Sequence, residues 1–261
     1  MRFETYCMAR YFLEIMYDGT AFHGSQLQGD IPTVQLAVNQ ALSTLLREPV
    51  ISFGASRTDE GVHALSSFYH FDTEKELHPA FLYKVNAILH EKVAAKALFL
   101  AENPELNARF DAISRQYRYR IYGNKNPFLQ EKALYFPYHL NTDILNQTAE
   151  ILKEYTDFES FSKRNTQTRT FKCSIMQSYW LQQNGELQYV VEANRFLRGM
   201  VRGLVATQLQ VARGNYTIEE FRKIIEARDC TKAYFNVTGH GLYLEKIAYP
   251  ENSLTEIKDR R

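Results

Sequence analysis

Apolar residues at 34, 37, 38, 41, 42, 45 and 46 recur at the spacing of one buried helical face. Pro32 opens this stretch and Pro49 ends it, so a helix is expected between the two breakers. Upstream, residues 11–17 are rich in aromatic and branched side chains and predict a strand that Asp18-Gly19 closes. Downstream, 51–55 and 67–71 predict short strands, 79–89 a helix and 95–101 a further strand. The second half repeats the theme. A strand over 114–122 puts Tyr117, Tyr119 and Ile121 on one face and Arg118, Arg120 and Tyr122 on the other. A helix over 142–155 follows, then a hairpin of strands 171–181 and 186–193 around Asn184-Gly185. A helix over 198–212 is closed by Gly214, and a Thr217/Glu220 capping box starts another that runs to 228. The last strand, 241–249, stops at Pro250.

Each half therefore reads roughly strand, helix, strand, strand, helix, strand. The expected class is α+β, with two similar halves whose sheets are mostly antiparallel. The boundary is placed near Asn103-Pro104, giving halves 1–103 and 104–250 and a polar, frayed tail over 251–261.

Composition narrows the class without naming a function. Of 261 residues, 45% are hydrophobic and 23% charged, enough for a full core and too apolar for a disordered chain. No uncharged apolar run approaches the roughly 18 residues of a membrane span. Arg2, Glu4 and Arg10 interrupt the N-terminus, so no secretory signal is read. Cys7, Cys173 and Cys230 are far apart and form no Cys-x-x-Cys, which argues against a disulfide framework or cysteine metal site and for a cytoplasmic setting.

The net charge is only +1, yet its distribution is uneven. The segments 109–122, 160–173 and 194–213 together hold 12 of the 31 Lys and Arg residues and a single acid, Asp111. If they converge, they form a surface suited to phosphates. The plainer alternative is three solvated faces whose counter-charges lie elsewhere.

The stretch with the most chemistry is Gly54-Ala55-Ser56-Arg57-Thr58-Asp59-Glu60-Gly61-Val62-His63-Ala64. It reads as a strand end, a charged turn and a glycine. A carboxylate on such a turn can serve as nucleophile or base. An Asp in a turn also has a purely local use, bonding its own backbone. His63 reads more readily as a structural hydrogen-bonding residue than as a catalyst.

This block resembles the catalytic motif of the TruA-type tRNA pseudouridine synthases, Gly-x-x-Arg-Thr-Asp-x-Gly-Val-His. The likeness extends over about residues 11–250. It includes Tyr17-Asp18-Gly19-Thr20 with Phe22-His23-Gly24 and Gln26-x-Gln28, then Thr33-Val34-Gln35. Asn107-Ala108-Arg109-Phe110, Tyr117-Arg118-Tyr119, Asp157-Phe158, Ser160-Phe161 and Arg169-Thr170 follow. Asn194-x-Phe196 with Met200-Val201-Arg202, and Gly241-Leu242-x-Leu244, complete it.

The resemblance implies two α+β halves whose sheets form one extended surface, an active-site cleft between them, and a homodimer. It implies isomerisation of uridine to pseudouridine in the tRNA anticodon stem-loop, at positions 38–40, without a cofactor. Asp59 falls on the catalytic aspartate and Arg202 on its basic partner. Tyr117 falls on the tyrosine that stacks on the target base, and Arg57 on the residue that holds the flipped nucleotide out. Arg109, Arg164, Arg169, Arg195 and Arg198 are the expected RNA-binding residues.

Some positions depart from the family pattern. Ser56 stands where Gly is usual, Glu60 where Ala is usual, and Ser25 where Trp is common. The usual proline-containing approach to Gly241-Leu242 is missing over 234–240. Glu60 is expected either to pair with Arg195 or Arg198 or to face solvent. The rival functions are the same chemistry on another RNA or position, and a non-catalytic RNA-binding relative. A glycoside hydrolase using Asp59 with Glu60 ranks low, because adjacent residues on one turn do not flank a bond from two sides.

Overall fold

The computed structural model describes residues 8–164 and 168–258. Cys7 and the last three residues of the expected tail lie outside these. Two compact units are present: Met1–Ile113 with Glu245–Arg261, and Ser114–Leu244.

The first unit begins with β1 (Ala9–Tyr17), followed by α1 (Val34–Leu46), β2 (Phe53–Gly54), β3 (His63–Thr73), α2 (Phe81–Asn86) and β4 (Val93–Ala101). Thr33, rather than Pro32, opens α1: its hydroxyl accepts from Leu36 N–H, while Pro32 stays outside. Val34, Val38, Ala41, Leu42 and Leu46 are buried along the helix, as their spacing predicts. Strand β3 is longer than expected and almost continuously buried, the mark of a strand covered on both faces.

The second unit holds β5 (Ser114–Tyr122), β6 (Leu134–Tyr135), α3 (Thr142–Ile151), β7 (Ile175–Gln183), β8 (Glu186–Ala193), α4 (Met200–Ala212) and α5 (Ile218–Glu226). Its strands run in the order β5-β8-β7, antiparallel, with β6 parallel to the end of β5. Asn184 and Gly185 both take positive φ, as a tight two-residue hairpin requires. The capping box at Thr217 and Glu220 forms in full. Strand β7 starts at Ile175 instead of 171, because Phe171 O and Cys173 N–H are taken by Phe158 N–H and Thr156 O. Helix α4 starts after Arg198, since Gly199 sits at φ +76° and cannot be helical.

Strand β9 (Leu242–Ala248) passes from the second unit into the first, and β10 (Leu254–Ile257) follows. Two corrections arise here. The tail expected to fray instead forms β10, which pairs antiparallel with β4 from Leu254↔Ala101 to Ile257↔Leu98. Main-chain hydrogen bonding to an open strand edge drives this, and a polar composition does not advertise it. The first unit also extends to Ile113 rather than 103. The added segment is tied down by Arg10 Nη1 to Leu106 O (3.1 Å), Ala108 N–H to His70 Nδ1 (3.2 Å), Tyr249 OH to Ala108 O (2.6 Å) and Ile113 N–H to Ala248 O (2.9 Å).

Within the first unit β10, β4, β1 and β3 lie side by side, with β2 also paired to β3. Strand β1 pairs antiparallel with β3, Leu13 opposite Tyr69, and after a bulge Tyr17 faces Ala64. That register brings the loop leaving β1 and the loop entering β3 to one end of the sheet.

Candidate active site

The loop entering β3 carries Arg57 and Asp59; the loop leaving β1 holds it in place. Asp59 O accepts from Val62 N–H at 3.3 Å, closing a β-turn with Gly61 at φ +74° in its third position. That position requires a positive φ in a type II turn, so the glycine follows from the turn. Asp59 is half-buried and Arg57 exposed.

The partner loop packs with little tolerance. A Cβ on Gly19 would lie 2.1 Å from Val62 O, so that residue must be glycine. Gly24 sits at φ +93° with its missing Cβ position 2.8 Å from Thr58 O. Ser25 N–H donates to Thr58 O (3.1 Å), while Ser25 Oγ accepts from Thr58 N–H (2.8 Å) and donates to Ser56 O (3.2 Å). Tyr17 OH lies 2.9 Å from Thr58 Oγ1.

His63 is buried, as a structural residue should be. Gly19 N–H donates to its Nδ1 at 3.2 Å, and Asp18 Oδ1 is equally close to that nitrogen. Of the departures, Ser56 buries an Oγ that has no hydrogen-bond partner among the described residues. Glu60 lies 3.5 Å from His23 Nδ1, and its side chain is 71% exposed. Within its own unit, then, Glu60 faces solvent with His23 beside it.

In the second unit the two tyrosines of one β5 face part company. Tyr119 is fully buried; its hydroxyl donates to Thr238 O at 2.8 Å and its ring lies against Gly241. Burial raises its phenol well above the usual range, against the opposing pull of the Arg202 guanidinium. Tyr117 keeps 7% exposure and meets the Phe196 ring edge-on, with centroids 5.1 Å apart. Arg202, half-buried in the first turn of α4, donates from Nε to Val237 O at 2.9 Å.

The basic segments meet within the second unit, where Arg115 Nη1 of the first donates to Asn194 O of the third (3.0 Å), but much of their charge is committed there. Lys163 N–H donates to Arg198 O (3.0 Å) and the Lys163 stem lies on Gly199, so the second and third segments meet. Arg195 is half-buried close enough to Cys173 to oppose the rise that burial imposes on that thiol, which reaches about 11. Arg109, Arg164, Arg169 and Arg198 are exposed. Other members are committed internally: Arg120 forms a two-pronged bond to Glu186 (2.7 and 2.6 Å), Arg118 bonds Gln188 (2.5 Å), and Arg213 stands 3.9 Å above the Tyr138 ring. The first segment is therefore less available to phosphates than its composition implies.

The residue that sequence reasoning missed is Ser25. In the sequence it stands out only as a departure from a motif, and its bonding to 56–58 is long-range, which no spacing reveals. Among the described residues no group of three or more His, Cys, Asp and Glu side chains is placed to hold a metal ion. No helix among them is long and apolar enough to cross a membrane.

Residues 155–250 match the family model described as tRNA pseudouridine synthase. The chain is 42% identical over 246 residues to the tRNA pseudouridine synthase A of Parabacteroides distasonis, covering 94% of this chain and 97% of that one. It is 40% identical over 253 residues to that of Bacteroides thetaiotaomicron, covering 95% and 94%. Against that of Staphylococcus aureus strain MSSA476 the identity is 31% over 248 residues, covering 94% and 92%.

Proposed function

Since the chain belongs to the TruA family of tRNA pseudouridine synthases, we propose that Asp59 is the carboxylate with which it isomerises uridines 38–40 of the anticodon stem-loop. The protein is an isomerase that acts on tRNA. The reaction breaks the N1–C1′ bond of uridine and joins C1′ to C5 of the same ring. C5 gives up a proton and N1 ends with one, so no redox partner is required. A carboxylate serves by attacking C1′ or C6, and it must be ionised to do so.

The observation that carries this assignment is the fixation of the Asp59 loop. The main chain before Asp59 is bonded on both its N–H and C=O sides by Ser25, and the turn after it is closed by Val62. A reacting group held at one point avoids reorganisation during the reaction, which is worth several orders of magnitude in rate. Arg202 then serves as the basic partner that favours the ionised carboxylate. Tyr117 supplies a ring face to the detached base, which needs no sequence reading. Arg57 holds the extruded nucleotide away from the stem, where unstacking costs a few kcal/mol. Arg109, Arg164, Arg169, Arg195 and Arg198 offset that cost by contacting phosphates. In this reading the enzyme needs no cofactor and works as a cytoplasmic homodimer.

The test is position-resolved mapping of pseudouridine in tRNA treated with the purified protein. Pseudouridine at one or more of positions 38–40 is expected. Formation only at another position, or only in another RNA, overturns the proposed target and leaves the reaction class intact.

A further inference from the structure

We propose that the Ser25 hydroxyl is a positioning residue for the reaction, fixing the main chain that presents Asp59. This rests on the reading of Asp59 as the reacting carboxylate. Ser25 is 2% exposed, and nothing in the composition of its loop calls for a hydroxyl there. Its Oγ uses both of its capacities on one short stretch of main chain, donating to Ser56 O (3.2 Å) and accepting from Thr58 N–H (2.8 Å). Its own N–H closes the third bond, to Thr58 O at 3.1 Å. Thr58 is thereby bonded on both main-chain groups, and Asp59 is the next residue.

The clamp is anchored at its other end. Gly24 O and Ser25 O accept from Val34 N–H (3.3 Å) and Gln35 N–H (3.1 Å), donors in the first turn of α1. A helix leaves those first N–H groups without partners of its own, so the loop is bound by groups that need bonding in any case. Tyr69 OH adds a longer hydrogen bond to Ser25 O at 3.4 Å. A rigid path therefore runs from α1 through Ser25 to Thr58 and on to Asp59. Its single side-chain hydroxyl can be removed with little change of volume. Doing so leaves Thr58 N–H and Ser56 O without these partners in a half-buried setting, a loss that the loop relieves by shifting.

A displacement of about 1 Å at a reacting group can lower a rate by roughly 100-fold. Ser25→Ala is thus expected to reduce kcat by about 10- to 100-fold with KM for tRNA nearly unchanged, the split that marks a loss confined to the transition state. Ser25→Cys, which keeps a weak donor and acceptor, should fall between the two. The control for a merely structural role is Ser52→Ala. Ser52 is fully buried in the same unit, and its Oγ donates to Asn39 Oδ1 of α1 at 2.6 Å rather than to the main chain of residues 56–58. Its loss should lower the melting temperature and leave kcat within about twofold, since it removes one buried hydrogen bond. Three results overturn the proposal: wild-type kcat in Ser25→Ala or Ser25→Cys, a fall in kcat in Ser52→Ala as large as that in Ser25→Ala, or failure of both Ser25 variants to fold. Asp59→Ala assayed alongside separates the two levels. If it is inactive while Ser25→Ala is not, the clamp fails and the Asp59 reading stands. If it turns over, the Asp59 reading falls and takes the clamp with it.

Discussion

The Asp59 loop and the basic stretches around Lys163 and Arg198 are both irregular connections between regular elements, yet they are held in opposite ways. The first is fixed by short, uncharged hydrogen bonds from the buried Ser25 to half-buried main chain, with two glycines whose missing side chains make room for neighbouring carbonyls. The second leaves Arg164, Arg169 and Arg198 exposed on long side chains. The contrast follows from the tasks. A reacting carboxylate must stand at one point, so the main chain that presents it is over-determined. A phosphate contact needs charge within reach more than it needs an exact geometry, so exposed and adaptable arginines suffice. Arg118, Arg120 and Arg213 belong to neither group, because each is bound to a partner within the second unit.

The sharpest way to break this contrast is to remove the fixed group alone. Asp59→Ala should lower turnover by at least ~10³-fold, as loss of a nucleophile does, while tRNA affinity stays near wild type. Single-turnover kinetics and a filter-binding titration measure the two separately. Appreciable turnover in the variant would mean that the rigid loop presents something other than the reacting group.

Acid should separate the two regions next. His70 lies in β3, the strand that follows the Asp59 loop, and is buried between the Phe12 and Phe53 rings with Nδ1 accepting from Ala108 N–H. Burial is the main cause that lowers its pKa from 6.5 to about 4, and the Arg10 charge adds to it. The unfolded chain therefore binds this proton more readily than the folded one. The stabilisation is complete above pH 6.5 and is lost as pH falls towards 4, by about 3 kcal/mol at pH 4. Denaturant unfolding of wild type and His70→Phe at pH 7 and pH 4 should show that difference, with the variant's stability falling less. Parallel pH profiles for the two proteins would remove His70 from the account.

Salt should act mainly on the other region. Each arginine that no longer neutralises a phosphate should flatten the slope of log affinity against log salt by roughly 0.7–0.9. Removing Arg164 and Arg169 together should therefore flatten it by about 1.4–1.8, roughly tenfold in affinity between 50 and 200 mM salt, with kcat retained. An unchanged slope would place the RNA surface elsewhere.

How much of this was legible in the sequence depends on the range of the interaction involved. The capping box at Thr217, the turn at Asn184-Gly185 and the buried stripe of α1 are local, and each stands where its pattern places it. Strand β10 and the attachment of 104–113 to the first unit were not legible, because backbone edges and one buried imidazole carry no periodic signal. The motif around Asp59 was plain, whereas its clamp was not: Ser25 meets Thr58 only after the chain has formed α1 and β2 between them. Tyr117 and Tyr119 share one strand face, and no local pattern says that Tyr119 is the one packed against Gly241.

The smallest effect is expected at Glu60, the departure from the family pattern nearest the reacting carboxylate. Glu60 adjoins Asp59, and a second carboxylate held beside a reacting one disfavours its ionisation. Yet in the β-turn closed by Asp59 O and Val62 N–H, Glu60 occupies the second position and points outward. Its carboxylate is 3.5 Å from His23, with both side chains largely in water. An exposed pair at that distance is screened by solvent and by salt, and it is an ion pair only while His23 is protonated. Glu60→Ala should therefore leave kcat and KM within about twofold, the scale of a weak surface pair. Double substitutions of Glu60→Ala with Arg195→Ala or Arg198→Ala should be additive. If losing Arg198 instead harms turnover far more when Glu60 is present than when it is Ala, the two side chains interact during the reaction. The division between a fixed reacting loop and an adaptable basic surface would then fail at that residue.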